Sequence, residues 1–218
     1  MMKKQAGKAL ISDEIMAQLS QGIPHTVANL RCLVRTLRLF GLSAAYERLD
    51  HPDVTPKACF HRAKRQLDVM AHHGDKWLNE DWLEGELARL KAKGGGVRFL
   101  LSNSSSPTTV ARCKSLQASS SAFEARFFDG NAIFRAIFID TNLLLLSHYG
   151  IEVIEKDWNN KKGWRSPQLL IEDNDHWSLL IPFRAIFRVA WEKASPLSLA
   201  PVDSGGGITK RAFQPEGE

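Results

Sequence analysis

Residues 131–150, NAIFRAIFIDTNLLLLSHYG, decide how the whole chain is read. Ile137, Phe138 and Ile139 run apolar into Asp140. Thr141-Asn142 supplies a short polar turn, and Leu143 to Leu146 return as a second apolar run. β-Branched and aromatic residues, a polar turn and a further apolar run predict strand, turn and strand, a tight hairpin. The return strand closes on the polar residues Ser147, His148 and Tyr149. Arg135 and Asp140 are five residues apart, so strict alternation sends them to opposite faces, and a bulge or bend is required if they are to share a site.

Upstream of the hairpin, Gly41 opens a short strand, LSAAYERL (42–49). Thr55 is a good N-cap ahead of Pro56, and the helix they start is expected to reach Leu67. LDVMAHHG (67–74) reads as a buried strand closing on His72, His73 and Gly74. A helix over about 79–93 carries Trp82, Leu83, Leu87 and Leu90 on one face, and the glycines at 94–96 stop it. VRFLLSN (97–103) is a strand, a helix follows over 107–116, and EARFFDG (124–130) is a further strand. Strands alternating with helices predict an α/β fold, a mixed and mostly parallel sheet flanked by helices. Beyond the hairpin come a polar loop, KDWNNKKGW (156–164), a strand over 166–173 and a long helix over 177–194.

Three regions follow from this pattern. Residues 1–40 form an N-terminal helical extension, 41–194 the α/β domain, and 195–218 a Pro-, Ser- and Gly-rich tail expected to be disordered. Within the extension, Val27, Leu30, Leu33, Val34 and Leu37 recur at helical spacing with Arg31, Arg35 and Arg38 between them. A packing helix with a solvated arginine face accounts for this, as does a basic helix laid on nucleic acid or a partner.

The 218 residues carry a net charge of +5, which permits a nucleic-acid or phosphate partner without requiring one. Cys32, Cys59 and Cys113 are scattered, lack metal-ligand spacing and leave one over from any pairing, which suits a reducing, cytoplasmic setting. No apolar run approaches the roughly 20 residues of a membrane span. Asp13-Glu14 interrupts the basic N-terminus before any signal-peptide core, so no signal peptide is expected. No cofactor motif is present: the glycines at 94–96 lack a following lysine.

The order AKRQLDVMAHHG (63–74), helix, GVRFLLSN (96–103), helix, then a hairpin with ID before four apolar residues and a serine, resembles one half of the phospholipase D-like superfamily. The resemblance covers about residues 40–194. It implies a hairpin bearing H-x-K-x-x-x-x-D, a nucleophilic histidine that forms a phosphohistidine, a lysine and serine that hold phosphate oxygens, and no metal. With Asp140 on the family's aspartate, Arg135 stands where lysine is expected and Ser147 where the phosphate-binding serine falls. Ile133 replaces the nucleophile, Leu146 the usual glycine, and Tyr149 stands where asparagine is common. Arginine keeps the charge with a planar fork, but isoleucine cannot attack phosphorus. The resemblance therefore implies a catalytically degenerate domain that binds a phosphorylated ligand or nucleic acid through Arg135, Asp140 and Ser147, as sensor, adapter or regulator.

Two other readings stand beside it. In one, His72, His73 or His148 supplies the missing histidine, and a homodimer joins two half-sites into a metal-independent phosphodiesterase or nuclease. In the other, the domain is an interaction module without a ligand. The single residues also have plain roles: Asp140 caps a turn, Arg135 pairs with an acid on the sheet, and Ser147 and His148 end a strand in solvent. His72 and His73 lie at the carboxyl end of a strand, where open α/β sheets collect ligands. Being adjacent, at most one of them is expected in a cleft. Lys161, Lys162, Trp164 and Arg165 combine cations with tryptophan as single-strand binders do, or form a solvated loop.

Overall fold

The computed structural model of the chain describes residues 34–103, 105–129, 132, 134–149, 166–174 and 178–197. Eight strands form one sheet: β1 (Leu42–Tyr46), β2 (Gln66–Ala71), β3 (Gly96–Ser102), β4 (Phe123–Phe128), β5 (Phe134–Ile139), β6 (Leu143–His148), β7 (Gln168–Glu172) and β8 (Ser195–Pro196). Their order across the sheet is β1-β7-β6-β5-β2-β3-β4-β8. Five helices accompany them: α1 (Pro56–Arg62), α2 (Asp75–Leu78), α3 (Leu83–Ala92), α4 (Pro107–Ser119) and α5 (Leu180–Lys193). Residues 34–39 are also helical, at the end of the stretch expected to be so.

The mixed α/β sheet flanked by helices is present as expected, but its balance is antiparallel. Only β2–β3 and β3–β4 pair in parallel; the other five pairings are antiparallel. Strands β1 to β4 do run in one direction, as the strand–helix alternation implied. From β4 onward the connections decide otherwise. Five residues separate β4 from β5 and three separate β5 from β6, too few for the dozen or more that a parallel crossover needs. The chain therefore turns straight back, and β5 pairs antiparallel to β2.

Both faces of the sheet are covered, which is why Leu143 to Leu146 read as an unbroken apolar run. On one face, Leu67, Val69, Phe99, Leu101, Ile137, Ile139 and Leu145 pack with Phe60, Leu83, Leu87 and Leu116 from α1, α3 and α4. On the other, Met70, Leu100, Phe138 and Leu144 meet Leu180, Phe187 and Trp191 of α5. The same face buries Asp68, 2% exposed, against a bidentate Arg98 at 2.8 and 2.6 Å. The Arg98 guanidinium also lies 5.4 and 5.2 Å from the rings of Phe187 and Trp191.

The local expectations are met at several ends. Thr55 Oγ1 accepts the Ala58 N–H at 3.2 Å, and Pro56 is the first residue of α1. That helix ends at Arg62, short of Leu67, because the next residues are drawn to Asp140. Gly94, at φ +68°, stops α3. Ser195 and Pro196, expected in the tail, pair with β4 as a closing edge strand, and the rest of the expected tail from residue 198 lies outside the described residues. The short helix α2 had no signature in the sequence. Among the described residues no helix is long and apolar enough to cross a membrane.

Candidate phosphate site

The hairpin's two ends have separate fates. β5 and β6 pair in the register Arg135↔Ser147 through Ile139↔Leu143, leaving Asp140, Thr141 and Asn142 as the loop. Asp140 takes φ +49°, a left-handed conformation that aspartate tolerates better than most residues. Its carboxylate accepts the backbone N–H groups of Lys64 at 2.9 Å, Arg65 at 2.8 Å and Gln66 at 3.0 Å. Its own N–H donates to Gln66 O, and its carbonyl accepts from Arg184 Nη2. Burial pushes the Asp140 carboxyl up, but the three backbone donors outweigh it and hold the pKa below the ordinary aspartate value. Asp140 is therefore an anchor between the hairpin loop and the start of β2.

Arg135 lies at the opposite end of the same strand. Five residues of strand separate it from Asp140, roughly 16 Å at about 3.3 Å per residue. The structure does not bring the two together, and no bulge or bend closes the distance. The expectation that Asp140 shares an oxyanion site with Arg135 is thus corrected: it serves the opposite end of β5, at the start of β2.

Around Arg135 the side chains converge. Arg135 is 6% exposed, and its Nη2 donates to Gln168 Oε1 on β7 at 2.9 Å. Gln168 in turn donates to Ser166 O, which fixes the amide. Ser147 sits directly across the ladder from Arg135 and is buried, so their Cβ atoms are about 5 Å apart on one face. Burial lowers the pKa of Arg135, with Tyr149 and Cys59 acting the other way, yet an arginine so placed remains a cation.

Above this floor, Leu49, Ala71, His72, His73, Gly74, Lys76, Trp77, Arg135 and Tyr149 line a hollow of about 120 Å³. It lies beyond the carboxyl end of β2. Tyr149 Oη accepts the backbone N–H of His72 at 3.2 Å, tying the end of β6 to the end of β2. The rings of His72 and His73 are 4.0 Å apart. Both line the hollow, contrary to the expectation of one. The strand ends at Ala71, so the two-residue alternation no longer governs them. Asp75 also borders the hollow, but its carboxylate accepts the hydroxyl of Thr109. Among the described residues no cluster of three or more His, Cys, Asp or Glu side chains is placed to hold a metal ion.

His148 does not join this group. It alternates with Ser147, so it faces the α5 side, and it is exposed. Lys161, Lys162, Trp164 and Arg165 lie outside the described residues, as does Ile133. Gln168 and Lys76 were not singled out from the sequence, whereas Tyr149 was, at the position where the resemblance expects asparagine. Gln168 carried a usable signal: it is a polar residue two positions before Leu170 on the inward face of an apolar strand. Lys76 had none, because its approach depends on how the chain turns after β2.

No family's sequence profile matches the chain, and no curated protein sequence does. Its fold is similar to solved structures at low identity. TrmBL2, described as an archaeal chromatin protein with a novel mode of DNA binding, shares 13% identity at a TM-score of 0.49, over 84% of this chain and 67% of that one. Nuc from Salmonella typhimurium, a phospholipase D family member, shares 13% at 0.45, over 66% and 88%. NucT from Helicobacter pylori shares 11% at 0.44, over 70% and 97%.

Proposed function

We propose that the hollow over Arg135 binds a phosphate group of a ligand and does not cleave it, so that the domain acts as a sensor, adapter or regulator. The observation that carries this reading is the buried guanidinium of Arg135, held by Gln168, beside Ser147 and beneath two histidines and Lys76. A guanidinium at that depth sits in a low dielectric, where a charge-assisted hydrogen bond to an oxyanion is strong. Lys76 and either imidazole, once protonated, add donors at the rim. A phosphate group fits a hollow of this size, whereas whole small ligands occupy about 300–1,000 Å³.

Turnover fits the geometry less well. A displacement at phosphorus needs a nucleophile on one side and an acid for the leaving group on the other. The two imidazoles stand together, 4.0 Å between ring centres, and crowd one side. Their presence at the hollow is nonetheless the one observation that favours the second reading, a metal-independent phosphodiesterase completed by a second copy of the chain.

Titration of the protein with inorganic phosphate, followed by histidine side-chain NMR, tests the first reading. Saturable shifts of the His72 and His73 resonances that disappear in Arg135→Met support it; their absence in the wild type refutes it. Hydrolysis of bis(p-nitrophenyl) phosphate in EDTA, abolished by His72→Ala or His73→Ala, would establish the second reading in its place.

A further inference from the structure

A second hollow opens beside the first. It has a volume of about 360 Å³, and Leu49, Pro56, Trp82, the cations Lys57 and Lys76 and the carboxylates Asp50 and Glu80 are among its lining residues. Leu49 and Lys76 line both hollows. The two therefore adjoin, with Leu49 and Lys76 as common walls.

The chemistry of the two halves differs. The small half is built around a guanidinium and imidazoles. The large half is lined by the half-buried indole of Trp82 and by Pro56, the first residue of α1. The indole is fixed on two sides. Its Nε1 donates to Glu80 Oε2 at 3.2 Å, and it meets Phe60 edge to face with ring centres 5.2 Å apart. A platform already held in place loses little freedom when something stacks on it. Two lysines, Lys57 and Lys76, and two carboxylates, Asp50 and Glu80, share the lining, so its formal charges balance and the indole is its distinguishing feature. A phosphate pocket beside a rigid aromatic platform matches an anion linked to a planar ring.

We infer that the Trp82 hollow receives the base of a nucleoside monophosphate unit whose phosphate occupies the Arg135 hollow. This inference rests on the phosphate reading above and names the class of ligand for that same site. The unit belongs either to a free nucleotide or to the 5′ end of a strand, which share this chemistry.

Calorimetric titration of the full chain with ribose 5-phosphate, AMP and a 5′-phosphorylated oligoadenylate tests it. AMP is expected to bind roughly tenfold or more tighter than ribose 5-phosphate, the gain of one stacked base. Trp82→Leu should erase that gain and leave ribose 5-phosphate binding intact, while Trp82→Phe should keep most of it. Saturation transfer from the protein to the adenine H2 and H8 protons gives a readout independent of affinity. An oligoadenylate that outbinds AMP identifies a strand end, and equal binding identifies the free nucleotide. If AMP and ribose 5-phosphate bind equally, the base assignment is overturned and the phosphate reading stands. If neither binds, the phosphate reading falls and takes this inference with it.

Discussion

Replacing Asp140 with alanine separates the two roles that a hairpin aspartate could have. In the folded chain its carboxylate accepts three backbone N–H groups, those of Lys64, Arg65 and Gln66. The first two are exposed enough for water to take over, so each loss costs about 0.5 kcal/mol; the Gln66 donor, half-buried, costs about 1. Alanine at φ +49° adds roughly 1 kcal/mol of left-handed strain. Asp140→Ala should therefore destabilise the domain by about 3 kcal/mol, a fall in Tm of roughly 6–12 °C for a chain of this size. Asp140→Gly removes the strain but not the lost acceptors and should recover about 1 kcal/mol. Urea unfolding followed by tryptophan fluorescence and circular dichroism measures all three proteins. The acid limb gives a second check. The pKa of Asp140 is lowered on folding, so its contribution is fully present above the unfolded value near 4 and is lost as pH falls through the folded one. Asp140→Asn should flatten that limb. Phosphate binding under native conditions should be unchanged in all variants, because the carboxylate is at the wrong end of the strand. A variant of full stability that no longer binds phosphate would refute the reasoning and return Asp140 to the site.

Three further outcomes follow from the packing. Asp68→Ala strands Arg98 against the rings of Phe187 and Trp191 without its bidentate partner; a loss of about 3 kcal/mol in urea unfolding is expected. Gly95→Ala places a Cβ 1.9 Å from the carbonyl oxygen of Arg65, so the junction of α3 and β3 must shift. A loss of about 2–3 kcal/mol, far more than the usual effect of an exposed substitution, should appear in the same assay. Burial pushes the thiols of Cys59 and Cys113 up to about 12, so at pH 8 neither should be alkylated by iodoacetamide until the protein unfolds. Peptide mass mapping across a urea series reads this directly.

Much of the architecture was legible in the chain because it rests on local rules. Thr55-Pro56 starts a helix through a side-chain oxygen and a fixed φ, the glycines at 94–96 end one, and the hairpin at 131–150 is announced by two apolar runs about a polar turn. The approach of Arg135 to Ser147 was also within reach, since it needs only the register of a tight hairpin. By contrast, the direction of the later strands depended on how few residues connect them. The neighbours of each strand depended on which edge the chain returned to.

What the sequence determined by itself is therefore the set of elements, their apolar faces and the presence of a cationic residue on the hairpin, because each follows from interactions within a few residues. Only the tertiary structure decided which polar groups meet. It sent Asp140 to the backbone of residues 64–66 and His148 to the α5 side. It brought His72, His73, Tyr149, Gln168 and Lys76 around Arg135 from three separate segments. The reason is geometric: strand direction and neighbour order are settled by long-range burial of two sheet faces, and no local pattern encodes which strand ends will stand side by side.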